Sequence, residues 1–252
     1  MVRISFRFMR ACRLVVALTV LVAACGGVLK NEYEYEEELY LSLDGAATLY
    51  VNGSVPALVA LRGVDLDVNP RARFDRARVR SLFEAPGLEV RVSSSRRRGR
   101  RFVHVRVDAA SLAELKQAAP FAWSTYQFER KGDVFAFHQI VGSAAGKPVG
   151  NVGWTGRELV AFRMHLPSRI PFHNAPSPTV GRGNILVWEQ PLTARLKGEP
   201  LDIQVQLETE SILVRTLVLF GSTIVAAALT FALVIWWMAR KGGESEMAES
   251  RP

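Results

Sequence analysis

The segment Thr216–Ala239, TLVLFGSTIVAAALTFALVIWWMA, organises the whole chain because its twenty-four residues include no Asp, Glu, Lys or Arg. At a rise of about 1.5 Å per residue, a helix of this length covers a hydrocarbon core of roughly 30 Å. Basic residues flank the segment on both sides, and Trp236 and Trp237 stand where an interfacial aromatic belt belongs. The segment therefore predicts a transmembrane helix. A buried core helix is the alternative, although such helices are usually shorter and interrupted by polar residues.

The first 24 residues have the layout of a secretory signal. Four arginines in Met1–Arg13 form a positive segment, and Leu14–Leu21 is an apolar segment too short to span a bilayer alone. The next stretch, VAACG at 22–26, places small side chains before a cysteine and resembles a bacterial lipobox. It predicts cleavage after Ala24 and lipidation of Cys25. Ordinary cleavage at the same bond, with Cys25 unmodified, is the alternative.

These two hydrophobic segments divide the chain into four parts. We expect a lipoprotein signal peptide at 1–24, an exported domain at 25–211, a transmembrane helix at 212–239 and a short cytoplasmic tail at 240–252. The positive-inside tendency favours this orientation, which describes a single-pass protein of the cytoplasmic (inner) membrane. Cys12 lies in the signal segment, so the exported domain has no cysteine besides Cys25 and no disulfide.

Alternating polar and apolar residues predict that the exported domain is built largely from β-hairpins. The first hairpin, Asn31–Ser54, turns at Asp44-Gly45. We expect the glutamates of its first strand on a solvated face; a cation site is the alternative, although no loop is present to wrap an ion. Further strands are predicted at 88–95, 102–107, 123–130, 134–141, 159–166, 184–189 and 201–207.

Short helices are predicted between these strands. Residues 55–61 form an apolar turn or helix, and Asn69-Pro70 predicts the start of a helix that ends near residue 84. Ser111 and Glu114 form a capping box that opens another helix, which Pro120 ends. The predicted fold class is α+β, with an antiparallel sheet curled over the core, two short helices and one C-terminal transmembrane helix.

A glycine-rich segment, GSAAGKPVGNVGWTG at 142–156, shows no periodicity. It predicts a mobile loop in which Trp154 is either an anchor or a ligand contact. The segment is not a phosphate-binding loop, because its glycine and lysine are spaced one residue too closely and Pro148 stands where Ser or Thr is required.

Positive charge is concentrated in one part of the exported domain. The whole chain carries +8, but between Arg71 and Arg101 eleven arginines stand against only three acidic residues. An exported domain does not normally meet nucleic acid, so anionic lipids of the membrane are the expected partner; a merely solvated basic face is the alternative. The residues expected to bind a lipid-like ligand or the membrane surface are Arg73, Arg76, Arg80, Arg96, Arg97, Arg98, Arg100, Arg101 and Trp154.

No arrangement of residues in the sequence predicts a catalytic or metal-binding site. The histidines are scattered over four segments and show no metal-ligand spacing, and no Gly-x-Ser-x-Gly motif is present. We therefore expect no catalytic residue, no metal site and no cofactor, and we do not expect an enzyme.

The order of these features resembles the LppM-like family of poorly characterised, membrane-anchored bacterial lipoproteins. The likeness rests on the lipobox cysteine, the hairpin LSLDGAATLYVNGS at 41–54, the segment RGNILVWEQ at 182–190 and the C-terminal helix. It implies an exported α+β domain and, for some members, binding of a lipid or glycolipid. The Arg-rich hairpin and the long middle loop depart from the family pattern, so the resemblance assigns no binding residue.

These features indicate a non-enzymatic lipoprotein of the cell envelope that binds a lipid-like ligand or an anionic membrane surface. One alternative is an interaction or scaffold subunit of an envelope complex, because Ser222, Ala226 and Thr230 form a small-residue face suited to helix packing. An exported hydrolase is the other alternative, although the sequence shows no constellation for it.

Overall fold

The computed structural model of the chain describes residues 33–249. The predicted signal peptide and Cys25 lie outside the described residues, so cleavage and lipidation stay expectations. The described strands are β1 (Tyr33–Leu41), β2 (Ala47–Ser54), β3 (Leu88–Arg97), β4 (Arg100–Ala109), β5 (Ser124–Lys131), β6 (Val134–Val141), β7 (Leu159–His165), β8 (Phe172–His173), β9 (Ile185–Pro191) and β10 (Leu201–Glu208). The described α-helices are α1 (Val55–Arg62), α2 (Arg76–Phe83), α3 (Leu192–Leu196) and α4 (Ile212–Glu249).

Within the described residues, the strands form two sheets. One has six strands in the order β3-β4-β2-β1-β7-β9, and the other has four in the order β5-β6-β10-β8. Neighbouring strands are antiparallel except for β1 and β7, which run parallel. The predicted α+β class is confirmed. The separation into two sheets, rather than one curled sheet, is what the structure adds.

The hydrophobic core lies between the inward faces of the two sheets. Side chains such as Leu49 and Val105 from the larger sheet and Ile203 from the smaller one belong to a single buried cluster. Every residue of α1 is buried, and most of them belong to this cluster. The local sequence explains this helix, because Ser54 caps its first turn by accepting a hydrogen bond from the Ala57 amide at 3.2 Å, and Gly63 ends it with φ of 66°.

The acidic run of β1 is not the solvated face that the sequence predicted. Glu34 and Glu37 are only 2% and 3% exposed. Basic side chains from distant segments cover each of four glutamates. The pairs are Glu34 with Arg100, Glu36 with Arg163, Glu37 with Arg62 and Glu38 with His165. Because a basic group already engages each of these carboxylates, the alternative of a cation site gains no support either.

The second predicted helix begins six residues later than expected. Asn69 does not cap a helix; its side chain accepts a hydrogen bond from the Arg71 amide at 3.0 Å and closes a local turn. The helix α2 starts at Arg76, with Asp75 as its N-cap. Farther along, the predicted capping box of Ser111 and Glu114 is present, but it opens a 3₁₀ helix at Leu112–Gln117.

The helix α4 includes a span, Ile212–Met238, that is long and apolar enough to cross a membrane. No part of the span is buried against the domain. The helix begins only a few residues after β10 ends. At its start, the Ser211 side chain accepts a hydrogen bond from the Leu213 amide at 3.2 Å. The Ile212 amide also donates to the Pro167 carbonyl at 3.0 Å, which ties the first turn of α4 to the loop after β7.

Candidate functional site

The basic hairpin of β3 and β4 projects at one end of the six-stranded sheet. Its two strands pair from Leu88 and Ala109 up to Arg97 and Arg100. The turn is Arg98-Gly99, and both residues have positive φ, 51° and 74°, as the tightest hairpin turns require. The pairing of β4 with β2 ends at Phe102 and Ser54, so the turn extends beyond the end of β2.

A cavity of about 610 Å³ lies beside this tip, and we call it the hairpin cavity. Four segments form it: the hairpin turn, the first residues of α1, the loop after α1 and the glycine-rich segment. Its lining residues are Val55, Pro56, Val68, Asn69, Pro70, Arg98, Gly99, Arg100, Arg101, Val149, Asn151, Val152, Gly153 and Thr155. Its wall thus combines small apolar side chains with three arginines, and no carboxylate of the described residues lines it.

Two consecutive arginines of β4 hold the loops on either side of the hairpin cavity. Arg100 donates to the carbonyl of Gly153 at 3.1 Å and so fixes the glycine-rich segment. Arg101 donates to the carbonyl of Ala72 at 3.1 Å and to that of Asp67, and so fixes the loop before α2. These bonds also explain the late start of α2, because they hold residues 67–72 in a non-helical path.

Glu34 joins the hairpin to the glycine-rich segment. One of its carboxylate oxygens lies 2.8 Å from Arg100 Nη2, and the other accepts a hydrogen bond from the indole of Trp154 at 3.3 Å. A register shift between Tyr33 and Tyr35 interrupts the pairing of β1 with β7 at this point. Trp154 therefore acts as an anchor, which is one of the two roles that the sequence left open.

The glycine-rich segment has no regular secondary structure, as predicted, but it is anchored rather than loose. The amides of Ala145 and Gly146 donate to carbonyls at the end of α1, each at 3.2 Å, and Lys147 Nζ lies 2.6 Å from the Gly63 carbonyl. Near its other end, the buried Glu158 accepts hydrogen bonds from the Thr155 and Gly156 amides. Burial alone would raise the pKa of Glu158, but these bonds lower it.

A second, smaller cavity of about 140 Å³ adjoins the first. The two share Val55 and Arg101 as wall residues. The smaller cavity is lined by Val55, Leu66, Asp67, Arg73, Phe74, Asp75, Arg78, Val79, Arg101 and Val103. Its polar wall therefore consists of three arginines and two aspartates.

The structure brings together only some of the arginines that the sequence singled out. Arg98, Arg100 and Arg101 line the hairpin cavity, and Arg73 lines the smaller one. Arg97 lies over the Phe102 ring at 4.1 Å and donates to the Tyr33 carbonyl. The others, Arg76, Arg80 and Arg96, are exposed and line neither cavity.

The hairpin cavity and the start of α4 lie at opposite ends of the six-stranded sheet. Strand pairing places Ala109, Leu41 and His165 at one end, and the chain continues from His165 to Pro167, which bonds to the first turn of α4. Arg100 is at the other end of β4, about 30 Å away at roughly 3.3 Å per residue. The basic tip of the hairpin therefore lies far from the first turn of α4.

Three of the four histidines, His104, His138 and His165, have side-chain partners within the sheets. His104 contacts Ser95 and Asn52, each at 2.8 Å, while His138 pairs with Asp202 at 2.7 Å. No group of three His, Cys, Asp or Glu side chains in the described part of the chain is arranged to hold a metal ion.

Neither a family model nor a curated protein matches this sequence. Among solved structures, the chain is similar to the folded domain of LppM from Mycobacterium tuberculosis, determined by NMR. The TM-score is 0.39 and the identity 12%, over 72% of this chain and 94% of that one.

Proposed function

We propose that this protein is a non-enzymatic, membrane-anchored binding protein that holds an amphipathic, lipid-like ligand in the hairpin cavity. The cavity itself carries the proposal, because ligand sites are typically concave, mostly apolar and supplied with a few polar groups. Val55, Val149 and Val152 would contact the apolar part of the ligand, and the arginines would contact its polar part.

The placement of the cavity favours this proposal over adsorption of the domain to a flat membrane surface. The cavity lies at the end of the larger sheet remote from the start of α4. In the proposed arrangement α4 crosses the cytoplasmic membrane once, the domain is exported, and a lipid on Cys25 adds a second anchor. The arginines outside both cavities, Arg76, Arg80 and Arg96, would matter only for surface adsorption.

Native mass spectrometry of the full chain, purified gently from cells, tests the proposal. We expect the wild-type protein to carry an extra mass that fits one amphiphile. Val149→Trp, which fills the cavity from its wall, should abolish that mass. Val180→Trp, an equally bulky change at an exposed loop residue outside both cavities, should retain it. A wild-type protein without bound amphiphile would argue against the pocket.

Vesicle flotation tests the adsorption hypothesis separately. If the basic face binds anionic headgroups, then Arg76→Glu with Arg80→Glu should weaken binding of the domain to anionic vesicles and leave the bound amphiphile in place. Unchanged flotation of this variant would remove the surface role and leave the cavity as the site.

A further inference from the structure

We propose that Arg101 binds an anionic group of the phosphate or sulfate type at the junction of the hairpin cavity and the smaller cavity. This inference deepens the proposed function and rests on it, since it names the chemical class of the ligand's polar group. The amphiphile would place its apolar part in the hairpin cavity and its anion between Arg101 and the smaller cavity.

The first argument is the unbalanced charge of Arg101. Its side chain is buried, with only 8% of the residue exposed. Its Nη atoms donate to two backbone carbonyls, but its Nε–H is buried and has no hydrogen-bond partner in the described structure. Within residues 33–249, no carboxylate forms an ion pair with it. A buried cation is costly without a counter-charge, and a bound anion would supply one.

The second argument is that the neighbouring Arg73 reinforces the positive charge. Arg100, also in the cavity wall, has a second buried Nε–H without a hydrogen-bond partner in the described structure, but its charge is offset by Glu34. Arg73 lines the smaller cavity and forms no ion pair within the described chain. An arginine fork suits the planar, multidentate recognition of phosphate and sulfate oxygens.

The two aspartates of the smaller cavity are engaged elsewhere. Asp67 accepts a hydrogen bond from the Asn69 amide at 2.8 Å, and Asp75 accepts one from the Arg78 amide at 3.0 Å as the N-cap of α2. Arg78 itself pairs with Asp65 at 2.6 Å. Arg101 and Arg73 are therefore the cations of this cavity that form no ion pair with a described carboxylate, and the cavity has room for a tetrahedral anion.

The same anion chemistry could come from an amphiphile or from free phosphate, and calorimetry on the full chain in amphipol can separate these sources. Three probes are compared: octyl phosphate, 1-octanol and inorganic phosphate. We expect octyl phosphate to bind at least tenfold more tightly than either of the others. Arg101→Gln should remove that tenfold preference, whereas Arg96→Gln, on the same hairpin but outside both cavities, should retain it.

Arg101 also positions residues 67–72, so its replacement could change binding by moving this loop. A second variant therefore distinguishes the loss of an anion contact from such a structural effect. Arg73→Gln removes a charge from the smaller cavity without breaking any hydrogen bond seen in the structure, and it should reduce the preference several-fold. Equal affinity of the wild-type protein for octyl phosphate and octanol would overturn the anion site but keep the amphiphile pocket. Binding of neither would overturn the proposed function. Equally tight binding of inorganic phosphate would retain the anion site and reject the amphiphile.

Discussion

At the residue scale, the most unusual feature is an ion pair inside the core. Glu37 and Arg62 are 3% and 4% exposed, and their side chains are in direct contact. The Tyr35 hydroxyl joins them, since it accepts from Arg62 Nε at 2.8 Å and donates to Glu37. Burial disfavours the charged guanidinium, but the charge of Glu37 together with the interactions of Tyr35 and Tyr126 outweighs this effect and raises the pKa of Arg62. The three residues therefore form one hydrogen-bonded unit between the sheets.

Removing one charge of this unit should lower the free energy of unfolding more than removing both charges. We expect Glu37→Gln to lower the free energy of unfolding by about 3–5 kcal/mol, because Arg62 is left buried without its counter-charge. Glu37→Leu combined with Arg62→Met should recover part of the loss, and a double-mutant cycle would measure the coupling. Glu36→Gln, at a pair near the surface of the same sheet, is the control and should cost much less. Strictly additive losses at Glu37 and Arg62 would contradict the coupling.

A second residue-scale property is the pH dependence that His104 introduces. Burial, together with the nearby charge of Arg97, lowers the pKa of His104 below its ordinary value, while Glu36 opposes the shift. The unfolded chain therefore binds a proton more readily than the folded one between the lowered pKa and about 6.5. In that window the stability falls as the pH falls.

The test compares thermal unfolding midpoints at pH 7.5 and at pH 5.5. The wild-type protein should lose stability on acidification, and His104→Gln should lose less, because the amide keeps polar contacts with Ser95 and Asn52 but does not titrate. His138→Gln leaves His104 in place and should retain the loss. An identical acid response in the wild-type protein and His104→Gln would show that His104 does not contribute.

At the scale of elements, the sequence predicted strands better than it predicted their polar partners. The alternation in β1 located the strand, and Glu37 already stands in register with Tyr35 and Leu39 on the inward face. This alternation was the feature of the sequence from which the burial of Glu37 could have been predicted. Its partner could not be found in the same way, because Arg62 lies 25 residues away and on a helix.

In the candidate site, too, the features set by local sequence could be predicted and those set by tertiary contacts could not. The basic hairpin and the glycine-rich segment are both visible in the sequence as local composition. The linking role of Glu34, which contacts Arg100 and Trp154, could not be predicted from the sequence, because a register shift in β1 decides its position. The start of α2 was misplaced for a related reason, since Asn69 closes a turn that Arg101 stabilises from another strand. Tertiary contacts of this kind override local capping signals.

At the scale of the whole molecule, the domain is joined to α4 without a flexible linker. Arg215, in the first turns of the helix, lies 3.4 Å from Glu208 at the end of β10 and 3.3 Å from Glu210. The Ile212 amide is bonded to Pro167 at 3.0 Å. The direction in which α4 enters a membrane therefore sets the side on which the domain and both cavities lie.

This coupling makes membrane orientation the decisive whole-molecule prediction. Single cysteines can report it, because Cys12 would be removed with the signal peptide and Cys25 would be blocked by lipid. In intact cells, with an outer barrier removed where one is present, a membrane-impermeant thiol reagent should label Ser177→Cys, whose site lies in an exposed loop of the domain. Ser250→Cys, in the predicted cytoplasmic tail, should react only after lysis. Labelling of Ser250→Cys but not Ser177→Cys would invert the orientation, and it would confine the ligand of the hairpin cavity to the cytoplasm.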